Sequence, residues 1–153
     1  MSDNFLADTY AINNRINIYL LNAISEEHLK DSFENKGRNV GEQFAHIHHV
    51  RMMWLKVASP DLLDNLTKPE KENINKKVLT EELEKSGTAI IKLFEQSIET
   101  GKIKGFKLHP AAFLGYLISH ESHHRGQVML ILKANKHMVD KKIQYGIWEW
   151  GVR

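Results

Sequence analysis

The chain has 153 residues, of which 42% are hydrophobic and 26% are charged. This is the length and composition of one folded domain, so we expect a single domain over residues 1–153. Twenty-one basic and nineteen acidic side chains leave a net charge of +2, and so even a balance argues against a nucleic-acid binder.

The sequence also limits where the protein is expected to be located and which thiol chemistry it can perform. No apolar run approaches the ~20 residues that span a bilayer, and the start MSDNFLADTY lacks the basic region and apolar core of a secretory signal. We therefore expect a cytoplasmic protein with no membrane partner. The chain has no cysteine, which excludes disulfides, thiolate metal sites and cysteine nucleophiles. Any thiol chemistry would need an external thiol.

Helical periodicity in four stretches, with no long strand-like alternation, predicts an all-α fold, a four-helix bundle of the up-down type. The first helix is predicted from about Asp3 to about Glu27. Asn39 is placed to cap the second helix, which should end before Pro60. The connection at residues 59–78 contains two prolines and many charges, and connections of this length are often lids or binding loops.

The second half of the chain supplies the other two helices. The third is predicted from Thr80 to Gly101, where glycine ends it. The fourth should begin at His109-Pro110, because proline suits the first helical position, and continue to about Asn135. The C-terminal stretch KKIQYGIWEWGVR is rich in large apolar side chains, and we expect it to dock on the bundle or on a partner.

The stretch HESHHRGQ, residues 120–127, places three of the nine histidines in the fourth helix. His120 and His124 fall on the apolar stripe that includes Leu117 and Val128. Residues four apart lie on one face of a helix, so the two imidazoles can bind the same ion. The pattern predicts a bidentate metal clamp built into one helix.

A third histidine lies on the second helix. His46 falls on a stripe that continues through Val50, Met53 and Val57. If the second and fourth helices are neighbours, three imidazoles meet inside the bundle and leave coordination positions for water or substrate. The alternative is that these histidines are ordinary core residues. Three buried imidazoles with no shared partner would each carry a desolvation cost, which favours the metal site.

Three further residues are candidates for proton handling: Glu121, His49 and His123. The two histidines are also alternative ligands or supports for the ligands. Glu121 and His124 form the Glu-x-x-His unit of di-iron bundles, but the matching place in the second helix holds Gln43 instead of a carboxylate. We therefore expect a mononuclear site.

The remaining polar residues near these motifs have simpler interpretations. We expect His48 to face outward with Arg51 nearby. Arg125 and Gln127 are expected to be solvated surface residues, with orientation of a substrate as the alternative. Gly126 lies in the middle of a helix, where glycine is unfavourable. Close helix packing is the preferred explanation for it, and room beside the metal is the alternative.

Three stretches resemble a known family. GEQFAHIHHVRMMWL, HESHHRGQ and YGIWEWG are similar to the second-helix, fourth-helix and carboxyl-terminal segments of the DinB/YfiT-like family of metal-dependent enzymes. The resemblance implies an up-down-down-up bundle, a homodimer, and a nickel, zinc or similar divalent ion held by His46, His120 and His124. Relatives of known activity include thiol transferases, which join a low-molecular-weight thiol to an electrophile, and a mycothiol-dependent isomerase.

Two hypotheses of function follow. The leading one is a metal-dependent enzyme that activates water or an external thiol for hydrolysis of, or thiol transfer to, a small-molecule electrophile. The rival is a non-catalytic helical module that dimerises or binds a partner through its aromatic tail and the connection at residues 59–78, with histidines that are core residues or hold a stabilising metal. The first requires His46, His120 and His124 to lie within about 8 Å of one another.

Overall fold

A computed structural model describes residues 4–153 of the chain. Four long helices dominate it: α1 (Phe5–Ala23), α2 (Val40–Ala58), α3 (Lys76–Thr100) and α4 (Pro110–Ala134), followed by a short α5 (Lys141–Gly146). Short 3-10 turns occur at Glu26–Lys30, Pro60–Leu63, Lys71–Asn73 and Trp150–Val152. None of the helices in this part of the chain combines the length and apolar character that a bilayer crossing requires.

Local capping explains why several helix ends were predicted correctly. The Asn39 side chain accepts a hydrogen bond from the backbone N–H of Glu42 at 2.8 Å, which satisfies a free donor at the start of α2. His109 does the same for α4, with Nδ1 3.1 Å from the backbone nitrogen of Ala112. Gly101 ends α3 in the left-handed conformation with φ of +69°.

Two other helix ends were predicted wrongly. The third helix begins at Lys76 and not at Thr80, because Asn75 caps it through a 2.9 Å bond from the backbone N–H of Val78. The first helix ends at Ala23 and not near Glu27, because the backbone at Ile24 turns extended. Its predicted start at Asp3 lies outside the described residues.

The long helices form a bundle in which α1 and α4 run in one direction and α2 and α3 run in the other. Residue numbers rise together along the α1–α4 and α2–α3 contacts and run oppositely along the α1–α3 and α2–α4 contacts. The α1–α4 contacts are Tyr10–Glu121 and Asn17–Arg125, and the α2–α3 contacts are Arg51–Ser86 and Ser59–Gln96. The α1–α3 contacts are Tyr10–Phe94 and Asn22–Lys76, and the α2–α4 contacts are Gln43–His124 and Trp54–Phe113. This is the predicted all-α bundle with α2 beside α4, in the up-down-down-up order.

The core consists of two apolar clusters with a polar layer between them. Along α4, Leu117 belongs to one cluster and Val128 to the other. The other helices divide in the same way, for example α2 between Ile47 and Leu55. Six buried charged or amide side chains fall in the intervening positions and form a polar layer across the bundle: Asn13, Asn14, Asn17, Arg51, Glu121 and Arg125.

The buried face of α2 differs from the predicted stripe. Met53 and Val57 were placed on the inward face, but they are 56% and 48% exposed. His48 was expected to face outward, yet it is buried, and Arg51 is fully buried. The prediction was wrong because it assigned polar side chains to solvent, whereas this helix turns two of its basic residues inward.

Gly126 is also placed differently from both explanations offered for it. It is exposed, and a Cβ added there would meet no heavy atom within 4 Å. It therefore mediates no close helix packing, and it lies away from the histidine face of α4.

The aromatic tail packs on the bundle only in part. The Arg153 guanidinium lies 3.8 Å from the centre of the Tyr19 ring, and Arg15 donates a hydrogen bond to the carbonyl of Arg153 at 3.0 Å. These contacts fix the tail on α1. Tyr145 and Trp148 nevertheless remain 71% and 74% exposed.

Candidate metal centre

The three histidines singled out by their positions converge in the structure. His46 comes from the first half of α2, while His120 and His124 lie one turn apart on α4. One ring nitrogen of each lies within 4.8 Å of those of the other two, well inside the 8 Å limit set above. This is the only such group of three potential ligand side chains among residues 4–153.

The spacing of the nitrogens fits a shared ion. Nitrogens bound at about 2.0–2.1 Å to one ion, at angles between 90° and 110°, lie roughly 3 Å apart. The Nε2 atoms of His120 and His124 are 3.1 Å apart. The residues present therefore fit a divalent ion held by three imidazoles.

Gln43 fixes the orientation of one of these rings. Its Oε1 lies 2.6 Å from Nδ1 of His124, so Nδ1 carries the hydrogen and donates it to the amide oxygen. The lone pair of Nε2 then points toward His120. A hydrogen bond of this kind selects the ligand tautomer in histidine metal sites. The glutamine that disfavoured a dinuclear site thus supports a mononuclear one.

The protonation state of the cluster also suits metal binding. Burial, reinforced by the charge of Arg38 and the neighbouring imidazoles, lowers the pKa of His46 to about 4. Burial together with the adjacent His120 and His46 lowers the pKa of His124 to about 4. The pKa of His120 is lowered as well, mainly by burial. The three rings are therefore neutral at physiological pH, which is the form that binds metals.

Glu121 lies beside the cluster in sequence but serves another purpose. Its Oε1 accepts hydrogen bonds from the Tyr10 hydroxyl and Arg51 Nε, both at 2.7 Å, and Oε2 accepts one from Arg51 Nη2 at 2.9 Å. The amides of Asn13 and Asn17 also donate to Oε2. Burial by itself would raise the pKa of Glu121, but the Arg51 charge and these hydrogen bonds hold it below its usual value. Its oxygens are thus occupied inside the bundle.

Arg125 belongs to the same buried layer, so its predicted surface role is wrong. It is only 7% exposed, and its Nη1 donates to the amide oxygens of Asn13 and Asn17 at 2.9 and 2.7 Å. Sequence reasoning missed the two asparagines as partners of Arg125, and Tyr10 as a partner of Glu121. The signal available was the spacing Tyr10, Asn13, Asn17 on one face of α1.

A cavity of about 360 Å³ opens beside the histidine cluster and is lined by His46 and His49. Its walls also carry two acids and three cationic side chains, the latter being Arg38, Lys68 and Lys71. The cavity therefore places a modest surplus of positive charge next to one of the potential ligands.

The three proton-handling candidates have different surroundings. His49 lines the cavity with His46, whereas His123 is exposed, with its ring centre 5.0 Å from that of His124. Glu121 is enclosed by the buried layer. Their catalytic roles stay predictions, and only His49 shares a cavity wall with a potential ligand.

His48 holds part of the cavity wall in place through the irregular connection between α2 and α3. Its Nε2 lies 2.7 Å from the backbone carbonyl of Thr67, and the Thr67 N–H donates to Oε2 of the buried Glu82 at 3.1 Å. These two bonds attach the irregular connection to α2 and α3. Lys68, the next residue, lines the cavity. Sequence reasoning missed Glu82, although it lies between Leu79 and Ser86 on the buried face of α3.

The fold and the site together define a class of protein, a helical bundle whose core could hold one divalent ion on three histidines. Among protein families, the DinB family matches this chain over residues 1–135, and the chain belongs to that family. The sequence-based family assignment is thereby confirmed. No curated protein was found to match the chain.

Proposed function

We propose that this protein is a metal-dependent enzyme that activates water or an external low-molecular-weight thiol for attack on a small electrophilic substrate. His46, His120 and His124 would hold one divalent ion. The observation that carries the proposal is the convergence of three neutral imidazoles beside a cavity of about 360 Å³. Family membership supports it.

The chemistry of the donor set limits the ion and the nucleophile. Imidazole suits zinc, nickel, copper and iron alike, of which the family resemblance favours nickel or zinc, and three protein ligands leave room for a further one. A divalent ion in such a site lowers the pKa of a water or thiol ligand, which makes a nucleophile available at neutral pH. Since the chain has no cysteine, the thiol would be a separate molecule.

The chain's own residues would bind and orient the reactants. Gln43 holds the His124 ring in the ligand tautomer. Arg38 and Lys68 in the cavity wall would attract an anionic group of the thiol or substrate. His49, which shares the wall with His46, is the best placed of the three candidates to exchange a proton with a bound reactant.

The direct test is the metal content of freshly purified protein, prepared without chelator or nickel resin and measured by mass spectrometry. We expect about one divalent ion per chain in the parent and none in a His120→Ala/His124→Ala variant. His123→Ala is the matched control, because His123 is exposed on the same helix and should leave the content unchanged. Equal metal in the parent and the double variant would refute the site.

A second function, a non-catalytic binding or dimerisation module, is favoured by the exposure of Tyr145 and Trp148. In that case the histidines would contribute stability only. Thiol-transfer and hydrolysis assays on the metal-loaded parent and on His120→Ala separate the two. A reaction that the variant loses supports the enzyme, whereas a loss of thermal stability with no reaction in either supports the module.

A further inference from the structure

A second and larger cavity lies between α4 and the C-terminal tail. Its volume is about 640 Å³, against about 360 Å³ for the cavity beside the histidine cluster. Small-molecule sites range from roughly 300 to 1,000 Å³. Its walls include Arg125, Gly126 and Met129 from α4 and Lys141, Trp148 and Trp150 from the tail. We call it the tail cavity.

The tail cavity is separate from the metal centre. Its α4 residues recur every three or four positions, at Ser122, Arg125 and Met129, so they share one face of the helix. His120 and His124 are each two positions from Ser122, which is about 200° around a helix of 3.6 residues per turn. The two sites therefore lie on opposite faces of α4.

Gly126 leaves the tail cavity open. A Cβ at this position would meet no heavy atom within 4 Å, so the space beside it is free. Glycine in the middle of a helix costs stability relative to alanine. Since no close packing accounts for Gly126, the room it leaves in the cavity wall is its evident structural consequence.

The charge around the tail cavity is positive. The buried layer contains the cations Arg51 and Arg125 and the anion Glu121, each no more than 7% exposed, which leaves one positive charge in excess. Arg125 lines the cavity, and Lys141 adds a second cation. Among the described residues, 4–153, no acidic side chain lines the cavity. An anion entering it would therefore meet uncompensated positive charge.

Arg125, which lines the cavity, also has hydrogen-bonding capacity to spare. The hydrogen bonds to Asn13 and Asn17 both leave from Nη1. Within residues 4–153, none is observed from Nε or Nη2. Arg125 is 7% exposed, and its guanidinium, bonded to the two asparagines on one side and lining a cavity on the other, is suited to binding an anionic group.

The opposite wall is apolar and aromatic. Trp148 is 74% exposed and Trp150 partly exposed, and Ile147 contributes further apolar surface. Aromatic side chains in such a wall bind flat apolar groups well. We infer that the tail cavity binds a small organic anion with a flat apolar body, its anionic group held by Arg125 and Lys141 and its body lying against the tryptophans.

The test uses a pair of fluorescent probes with the same rings. Anilinonaphthalene sulfonate carries an anionic group, and N-phenylnaphthylamine lacks it. We expect the sulfonate to bind the parent protein measurably more tightly than the neutral probe. Lys141→Gln should weaken sulfonate binding about two- to fivefold, as expected for an exposed charge, and leave the neutral probe unchanged. Lys142→Gln, one residue away and not lining the cavity, is the matched control.

The second part of the experiment uses a substitution that fills the tail cavity. Gly126→Leu should abolish sulfonate binding while circular dichroism shows an intact helical fold. Gly115→Leu is the control, because Gly115 is exposed on the same helix, also has open space at its Cβ and lines none of the cavities described here. The His120→Ala/His124→Ala variant should bind the sulfonate as the parent does, which separates this inference from the metal centre.

Several outcomes would overturn the inference. Equal affinity for both probes would show that the site does not prefer an anion. Unchanged sulfonate binding to Gly126→Leu would show that the probe does not bind in the tail cavity. Loss of binding in the double histidine variant would move the probe to the metal centre. A parent that binds neither probe would also overturn the inference, and sedimentation velocity then tests one explanation: if the parent is a dimer and Gly126→Leu is a monomer, a second copy of the chain covers the cavity.

Discussion

Replacing Glu121 by glutamine tests how the buried polar layer is held together. The carboxylate is 1% exposed and pairs with Arg51 through two hydrogen bonds of 2.7 and 2.9 Å. The Arg51 guanidinium is fully buried, and Arg125 lies in the same layer. Glutamine keeps the shape of the side chain but leaves two buried cations without a counter-ion.

The expected loss is large compared with the total stability of a domain. Removing one partner of a buried ion pair costs about 3–5 kcal/mol, while domains of this size are stable by roughly 5–15 kcal/mol. With a urea dependence of about 2 kcal/mol per molar, the unfolding midpoint should fall by about 2 M. Circular dichroism of the helices during urea unfolding measures this midpoint. Glu95→Gln, at an exposed position of α3, should change stability by no more than about 0.5 kcal/mol.

Two further results make this prediction decisive. Arg51→Met/Glu121→Gln should lose less stability than the sum of the two single variants, because Arg51→Met removes a cation that Glu121→Gln leaves unpaired. Glu121→Gln should retain its metal, since Glu121 is outside the ligand group. A stability loss below about 1 kcal/mol for Glu121→Gln would refute the counter-ion role.

Three other outcomes are expected. Gln43→Leu should weaken metal binding about 10- to 100-fold, because His124 loses the acceptor that selects its tautomer; unchanged affinity in a competition titration with a chromophoric chelator would contradict this. Gly101→Ala should cost about 1 kcal/mol in urea unfolding, because φ is +69° there, whereas Gly115→Ala in α4 should be neutral or stabilising. The metal-free protein should lose stability as pH falls from about 6.5 toward 4: the pKa values of His46 and His124 are lowered from 6.5 to about 4 by folding, so the unfolded chain binds more protons in that range. Urea unfolding at about pH 7 and pH 5 measures this, and greater stability at the lower pH would argue against it.

Helix ends that depend on neighbouring residues could be predicted from the sequence. Asn39, Pro110 and Gly101 act on backbone groups within one turn, so their effects do not depend on the rest of the fold. The start of α3 was missed because Asn75 was assigned to the charged connection preceding it. Its side chain nevertheless caps the helix locally, so this error was one of interpretation, and the signal was present.

The sequence could predict only part of the histidine cluster, and the reason is physical. His120 and His124 lie one turn apart on a face that Leu117 and Val128 identify as inward, so a single helix determines their proximity. His46 was identified on a stripe that included Met53, which proved exposed. His46 therefore lies beside the α4 histidines as expected, although the face assigned to α2 was wrong.

The sequence by itself determined the helices, their caps and the histidine pair on α4, because each depends on residues no more than a few positions apart. Only the tertiary structure decided which polar side chains are buried. His48, Arg51 and Arg125 face inward because their partners come from other elements, at Thr67, Glu121 and Asn17. A buried charge is stable only where such a partner is present, and no pattern within a single helix reports whether another helix supplies one.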